Sequence, residues 1–393
     1  MRILRETWLL LTVSLRNLRQ RLDVALVATA GFAGVVLVLV AVLSMGAGFR
    51  HTLRATGSRD VAIVLRKGSG AELSSALTLD QSRRVGDAPG VAQGAQGPEV
   101  SPELLMLLNR RERQSHVLAN VPFRGVTTEA FLAHPHVHLV AGRLFTPGLD
   151  QVIVGRAAAR TFRDLGLGDR FTSGGIRWTV VGVFGDHGGV HSSEIWTDLP
   201  SLESAYRRGD SVSAVFARLA SPTAYPRFRT SLEHNPELSV SVHRENRYYA
   251  HQSRGLSRFI TVAGTVIALM MGLGALFAAA NTMYATVSER AREVAILRTL
   301  GYDTVAVVLS VVTESVLYAV AGGVLGSLAA YLVFNGFEAS TLNNFSVMVF
   351  RFAVTPTLAL AGILFAAVLG FFAGLAPAWA AGRRPIADGV RAL

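Results

Sequence analysis

Cysteine is absent from this 393-residue chain. That removes disulfide frameworks, thiolate metal sites, cysteine nucleophiles and acylated-cysteine anchors together. Lysine is nearly absent: of 38 basic side chains only Lys67 is a lysine, leaving 38 − 1 = 37 arginines. A phosphate-binding loop of the form GxxxxGK[ST] needs a lysine followed by Ser or Thr. Lys67 is followed by Gly68, so there is no Walker A motif and ATP hydrolysis by that route is excluded. Charge is scarce too, at 17% of residues, against roughly 25% in an ordinary soluble domain. There is no HExxH pair and no GxSxG elbow, so neither a zinc-protease helix nor an α/β-hydrolase nucleophile is expected. No catalytic residue is assigned.

What is present is apolar: half of the residues are hydrophobic, against a formal net charge of +11. A helix needs about 20 apolar residues to cross roughly 30 Å of hydrocarbon. Four stretches meet that length, at 24–49, 258–287, 304–336 and 352–380. Residues 1–23 set Arg2, Arg5, Arg16, Arg19 and Arg21 around Trp8, Leu9, Leu11, Leu15, Leu18 and Leu22. This suits an amphipathic helix on the inner leaflet, and the apolar run after it is too long for a cleaved signal. Arginines also cluster in the turn between spans two and three (Arg290, Arg292, Arg298) and in the tail 381–393 (Arg383, Arg384, Arg391). By the positive-inside rule both termini are cytoplasmic. The fold class expected is a membrane protein with four transmembrane α-helices. A large mixed α+β extracytoplasmic domain, 50–257, lies between helices 1 and 2, and 337–351 forms a short periplasmic loop.

Within 50–257 the pattern alternates short strands and helices. Strands are expected at 61–65, 152–154, 170–172, 176–184, 195–197, 212–219 and 238–242. Helices are expected at 78–85, from Gly155 onward, from Pro200 through Arg208, and near 223–233. Both ends of the domain run directly into spans one and two, so a rearrangement of the domain is coupled to those helices.

Four features carry candidate chemistry. His134, His136 and His138 alternate around Pro135, and Asp186, His187 and His191 could add ligands. With no Cys and no helical His pair, no metal site is assigned. Glu314 interrupts the third span at a cost on the order of 2.5–3.5 kcal/mol. A structural hydrogen bond, to Ser310, Thr313 or another span, is favoured there over a proton-linked or conformational role. Gly322 with Gly326, and Gly370 with Gly374, are GxxxG pairs that suit close helix packing. Finally, Ser288, Glu289, Arg290, Arg292 and Glu293 open a charged helix that continues through Ile296, Leu297 and Arg298. Glu289 with Arg292 and Arg290 with Glu293 form i,i+3 pairs beside an apolar stripe.

At these residues the chain resembles a known family. Asn281 through Gly301, containing Ser-Glu-Arg-Ala-Arg-Glu, is similar to the signature of FtsX-like ABC transporter permeases. Gly322-Gly-Val-Leu-Gly326, Pro377-Ala-Trp and Arg384-Pro-Ile fit the same pattern. The outer domain resembles the MacB-type periplasmic core at Gly142-Arg-Leu-Phe, Val152-Ile-Val-Gly155, Leu167-Gly-Asp169 and Thr179 to Phe184. The resemblance implies the permease subunit of a mechanotransmission (type VII) ABC system in the bacterial inner membrane. It also implies a second permease copy or paralogue as dimer partner, and an ABC ATPase on a separate chain that binds the ATP and Mg. No cofactor is then expected in this chain. Segment 288–303 would be the coupling helix that seats on the ATPase. Export from the periplasm with an adaptor protein is the reading adopted. An FtsX-like transducer acting on a periplasmic partner, and LolC/LolE-like lipoprotein release, are the alternatives. The lipid membrane is the surrounding solvent, and no nucleic-acid partner is expected.

Overall fold

The computed structural model describes residues 22–95, 97–187, 189–289, 295–296, 298–299, 303–343 and 346–383. The expected amphipathic helix 1–23 falls almost wholly outside these residues, as does the tail beyond Arg383. The chain divides into two compact units. One comprises residues up to 47 with 258–337 and from 352 onward; the other comprises 48–257 with 338–351.

Four long helices dominate: α1 (Leu22–Ala55), α2 (Glu245–Glu289), α3 (Thr304–Phe334) and α4 (Pro356–Arg383). Each contains a stretch long and apolar enough to cross a membrane: Ala25–Leu53, Arg258–Glu289, Thr304–Phe334 and Pro356–Ala380. The larger core of the helical unit is built from Phe32, Val36 and Val40 of α1, Ala279 of α2, Ala319 and Ala330 of α3, and Ala366, Leu369 and Ala373 of α4. Small side chains predominate on α3 and α4, as expected where helices pack without a hydrophobic drive between them. The outward residues are large and apolar, among them Phe259, Met270, Phe277 and Leu332, the reverse of a soluble protein's surface. α2 starts at Glu245, thirteen residues before the expected start of the second span.

The other unit is built on a ten-stranded mixed sheet. Its strands are β1 (Val61–Arg66), β2 (Val100–Arg111), β3 (Leu118–Val126), β4 (His138–Gly142), β5 (Gln151–Gly155), β6 (Arg170–Ser173), β7 (Ile176–Gly185), β8 (Ile195–Asp198), β9 (Ala214–Arg218) and β10 (Val240–Arg244). They lie in the order β10-β1-β9-β2-β3-β8-β5-β7-β4, with β6 paired to β7. β8 runs parallel to β3 and β7 parallel to β5; the other pairings are antiparallel.

Alternation along each strand divides the buried residues between two faces. Leu104, Phe123, Val152, Val154, Ile195, Val215 and Ala217 share the larger core with Trp178, Phe162 and Leu165. Ile153, Phe184 and Trp196 join Val126, Ala130 and Phe145 on the other side. Helix 79–86 begins with a full capping box, Thr78 and Gln81 each bonding the other's backbone N–H, which satisfies two of its free donors.

Segment 337–351 is more than the short loop expected. It holds an antiparallel hairpin, β11 (Glu338–Asn343) and β12 (Ser346–Arg351), and it groups with the sheet unit. Phe350 of this hairpin is buried edge-on against Phe49, with ring centroids 5.7 Å apart.

Candidate functional site

The sheet carries a buried network of charge on the face opposite its larger core. Phe123 and Leu104 point into that core, so their neighbours Arg124 and Glu103 must point the other way. Arg124 is 1% exposed and contacts three carboxylates. Its Nε and Nη2 donate to the two oxygens of Glu194 at 2.9 Å each, a bidentate pair. Nη1 donates to Glu72 at 2.7 Å and to Glu103 at 2.9 Å. The register explains the placement: Arg124 sits beside Trp196 across the parallel β3–β8 pair. Trp196 Nε1 then donates to Glu194 at 2.7 Å.

Two histidines extend the network. His134 ends the short helix Ala130–Ala133. Its Nε2 lies 2.9 Å from Glu103 and its Nδ1 lies 3.3 Å from Glu245. His191 sits in the 3-10 turn Val190–Ser193, with Nδ1 3.1 Å from Glu194. The two imidazole centroids are 4.6 Å apart. Gly155 makes this possible, because a Cβ there would collide with the Ser192 carbonyl. The bare glycine lets the turn bearing His191 settle on the end of β5, where Gly155 N–H donates to Glu194 O at 2.8 Å.

Burial opposes charge throughout this cluster, and neighbours decide the outcome. Burial works against the His134 imidazolium, but the Glu103 and Glu245 carboxylates override it and raise its pKa to about 10. Burial would raise Glu194 as well, yet Arg124 and His191 hold it well below the usual carboxylate range. Glu72 is raised, because burial outweighs its contact with Arg124.

The network also reaches both roots of the domain. Ser58 N–H, just beyond α1, donates to Glu245 Oε2 at 2.8 Å. Thr56 Oγ1 accepts from Val190 N–H at 2.7 Å. Glu245 is the first residue of α2. Tyr248, one turn on, has its hydroxyl 3.1 Å from the Glu72 backbone N–H, which donates to it. Chain entry, chain exit and the sheet centre are therefore hydrogen-bonded into one buried cluster. Its charged members are spread over 173 residues of sequence, from Glu72 to Glu245, and no motif joins them. The available signals were an arginine inside the apolar run Val121 to Val126, and Glu103 followed by five apolar residues.

The histidine series does not share one face. His134 is buried, while His136 and His138 are exposed and stand with His187, the His138–His187 centroids being 4.7 Å apart. A helix and a turn occupy 130–137 in place of a strand, so the two-residue alternation does not apply.

Of the expected coupling segment, Ser288 and Glu289 close α2, and Ile296 and Arg298 are helical. Arg290, Arg292, Glu293 and Leu297 lie outside the described residues. Glu314 is 5% exposed in α3 and accepts a 2.6 Å hydrogen bond from the Tyr318 hydroxyl one turn on. Ser310 and Thr313, the partners expected from sequence, instead bond their own helix carbonyls at Val307 and Leu309. Glu314→Gln keeps an acceptor for Tyr318, so thermal stability in detergent is expected to change by under about 1 kcal/mol. Glu314→Leu removes that acceptor and is expected to cost about 1–3 kcal/mol. Equal melting shifts for the two variants would contradict this reading.

A wide groove of about 1010 Å³ also opens on the sheet unit. It is lined by helix 79–86, by Gly94, Pro98, Glu99 and Pro102, and by Thr127, Glu129, Phe131 and Leu132.

Residues 25–235 match the MacB-like periplasmic core domain, and residues 265–386 match the FtsX-like permease C-terminal. A stretch of 136 residues, 34% of this chain, is 32% identical to the macrolide export ATP-binding/permease protein MacB of Nitrobacter winogradskyi. That stretch spans 19% of the relative's length. Among solved structures, the extracellular domain of the noncanonic ABC-type transporter YknZ from Gram-positive bacteria is similar at 16% identity and TM-score 0.36, covering 47% of this chain and 99% of that one. The periplasmic region of MacB from Actinobacillus actinomycetemcomitans is similar at 12% identity and TM-score 0.38, covering 51% and 96%.

Proposed function

From the premise that this chain belongs to the family of FtsX-like permeases with a MacB-like periplasmic core domain, we propose that it is the membrane subunit of an ABC transporter. It works as a dimer with a separate ATPase subunit, which binds ATP and Mg. Movement of the helices rearranges the outer domain, driving export from the periplasm with an adaptor protein. The termini are cytoplasmic, and Ser288, Glu289, Arg290, Arg292, Glu293, Ile296, Leu297 and Arg298 seat on the ATPase.

One observation carries this reading. The buried network bonds residues just beyond α1 and the first residues of α2 to the centre of the sheet. A displacement of either helix end therefore acts on strands rather than on a slack linker. Buried ion pairs are worth little as net stability but hold groups in one geometry, which is what force transmission requires.

Purification of the tagged protein from its own membranes in mild detergent is expected to bring down an ATP-binding cassette subunit. Reversing the charges of Glu289, Arg290, Arg292 and Glu293 together should reduce that recovery at least about tenfold, since a docking surface of paired charges becomes repulsive. Absence of any ATPase with wild type, together with no effect of the reversal, would reject the proposal. A co-purifying periplasmic adaptor selects export; a cell-wall hydrolase in its place would select the transducer reading.

A further inference from the structure

We propose that His134, His191 and Glu245 form a binding site for a divalent transition metal of the zinc class, which joins the first residue of α2 to the sheet unit. The inference is independent of whether an ATPase partner exists. One ligand atom from each of the three residues can be chosen so that all lie within 4.8 Å of one another. All three side chains are buried, at 2–3% exposure. Two ligands about 2.0–2.1 Å from a tetrahedral zinc lie roughly 3.3 Å apart. The His134 Nδ1 to Glu245 Oε1 separation is already 3.3 Å.

Three further observations separate this cluster from an ordinary group of polar residues. First, each ligand is oriented by a partner on its other polar atom. His134 Nε2 faces Glu103, His191 Nδ1 faces Glu194, and Glu245 Oε2 accepts from Ser58 N–H. That carboxylate–histidine arrangement fixes the tautomer with Nδ1 of His134 and Nε2 of His191 as free lone pairs, as metal-bound histidines need. Second, His191 Nε2 is fully buried and has no hydrogen-bond partner among the described residues. The same is true of the Tyr249 hydroxyl, whose ring lies 6.1 Å from that of His191. A buried polar atom left unpaired costs stability, and a ligated metal would satisfy the ring nitrogen, leaving Tyr249 or water for the fourth position.

Third, acidic groups outnumber basic ones around the site. Glu72, Glu103, Asp186, Glu194 and Glu245 against Arg124 leave an excess of 5 − 1 = 4 carboxylates in the network. Two imidazolium ions would offset two of these, but with their rings 4.6 Å apart they repel each other in a low-dielectric site. One divalent ion between two neutral rings supplies the same two charges without that repulsion. Histidine nitrogen with one carboxylate suits zinc or a neighbouring first-row ion better than magnesium or calcium, which prefer all-oxygen shells. The exposed group His136, His138 and His187 lacks such burial and such carboxylate partners.

The test uses the full-length protein in detergent, freed of metal by a chelator and titrated with ZnCl2 or CoCl2. Binding of one equivalent per chain is expected, and cobalt should give the intense visible absorption of a four-coordinate site. His191→Gln and Glu245→Gln should each weaken zinc binding by about 100-fold, whereas a variant with His136, His138 and His187 all changed to Gln should bind as wild type does. No saturable binding by wild type would overturn the inference. So would binding that the surface variant loses and the buried variants keep. Because the wild-type cobalt spectrum and the surface variant need no change in the buried network, a misfolded ligand variant leaves the test intact.

Discussion

Arg124→Met is expected to lower the unfolding temperature of the outer domain by roughly 10 °C. The guanidinium makes four hydrogen bonds to three carboxylates, none more than 6% exposed. Removing it leaves Glu72, Glu103 and Glu194 buried together with no counter-charge. Breaking one side of such a network costs about 3–5 kcal/mol, and each kcal/mol moves the midpoint by about 2–4 °C in a domain of this size. Trp178 and Trp196 are both fully buried in this domain, so tryptophan fluorescence reads the transition directly. Adding Glu72→Gln, Glu103→Gln and Glu194→Gln to Arg124→Met should recover much of the loss, because neutral groups bear desolvation better than lone carboxylates. Arg124→Lys should not, since a single ammonium lacks the planar fork that serves three partners. A melting temperature unchanged by Arg124→Met would refute this account of the network.

The second large effect is expected in the helical unit. A Cβ at Gly326 would fall on the Ala33 carbonyl oxygen of α1, and one at Gly322 would lie 2.6 Å from the Thr29 carbonyl oxygen. Both glycines of this GxxxG pair therefore face backbone, which cannot move aside as a side chain can. Gly370 and Gly374 let α4 approach α3 as closely, there meeting the Cβ atoms of Ala319 and Ser315. Ser315 Oγ also donates to the Gly370 carbonyl at 2.8 Å. Gly326→Val should cost about 1–3 kcal/mol by overpacking, and Gly322→Val with Gly326→Val should cost more, seen as a lower thermal midpoint in detergent. Gly34→Ala is the control, because nothing lies within 4 Å of its would-be Cβ; there the gain in helix propensity should leave stability level or higher. If the Gly34 and Gly326 variants behave alike, close approach is not what these glycines provide. The two GxxxG pairs thus serve packing within one chain.

Much of the outer domain was legible from sequence. The expected strand at 61–65 is β1, with five consecutive buried residues. The expected strands at 176–184 and 195–197 are likewise β7 and β8. The β2–β3 hairpin was missed, although it pairs eight residues from Leu104↔Gly125 to Arg111↔Leu118. Its run Leu104-Leu-Met-Leu-Leu108 has no β-branched residue and consists of good helix formers. Only pairing with a neighbour makes it a strand, and such pairing is a tertiary fact. The two most important charged residues of the network, Arg124 and Glu103, sit on these two strands.

The scarcity of lysine and of charge, and the four long apolar runs, determined a good deal by themselves. They excluded a Walker A ATPase motif, required spanning helices, and left one large polar domain between the first and second. These conclusions need only local composition, because transfer to hydrocarbon is a property of each segment alone. What only the tertiary structure decided is which charged residues meet. His134, His191 and Glu245 are 54 or more residues apart in sequence, and Arg124 meets carboxylates 21 to 70 residues away. Sheet register and the close approach at Gly155 bring them together. The pairwise energy of buried charges exists only once they are within a few ångströms in a dry interior, and no one-dimensional pattern encodes that distance.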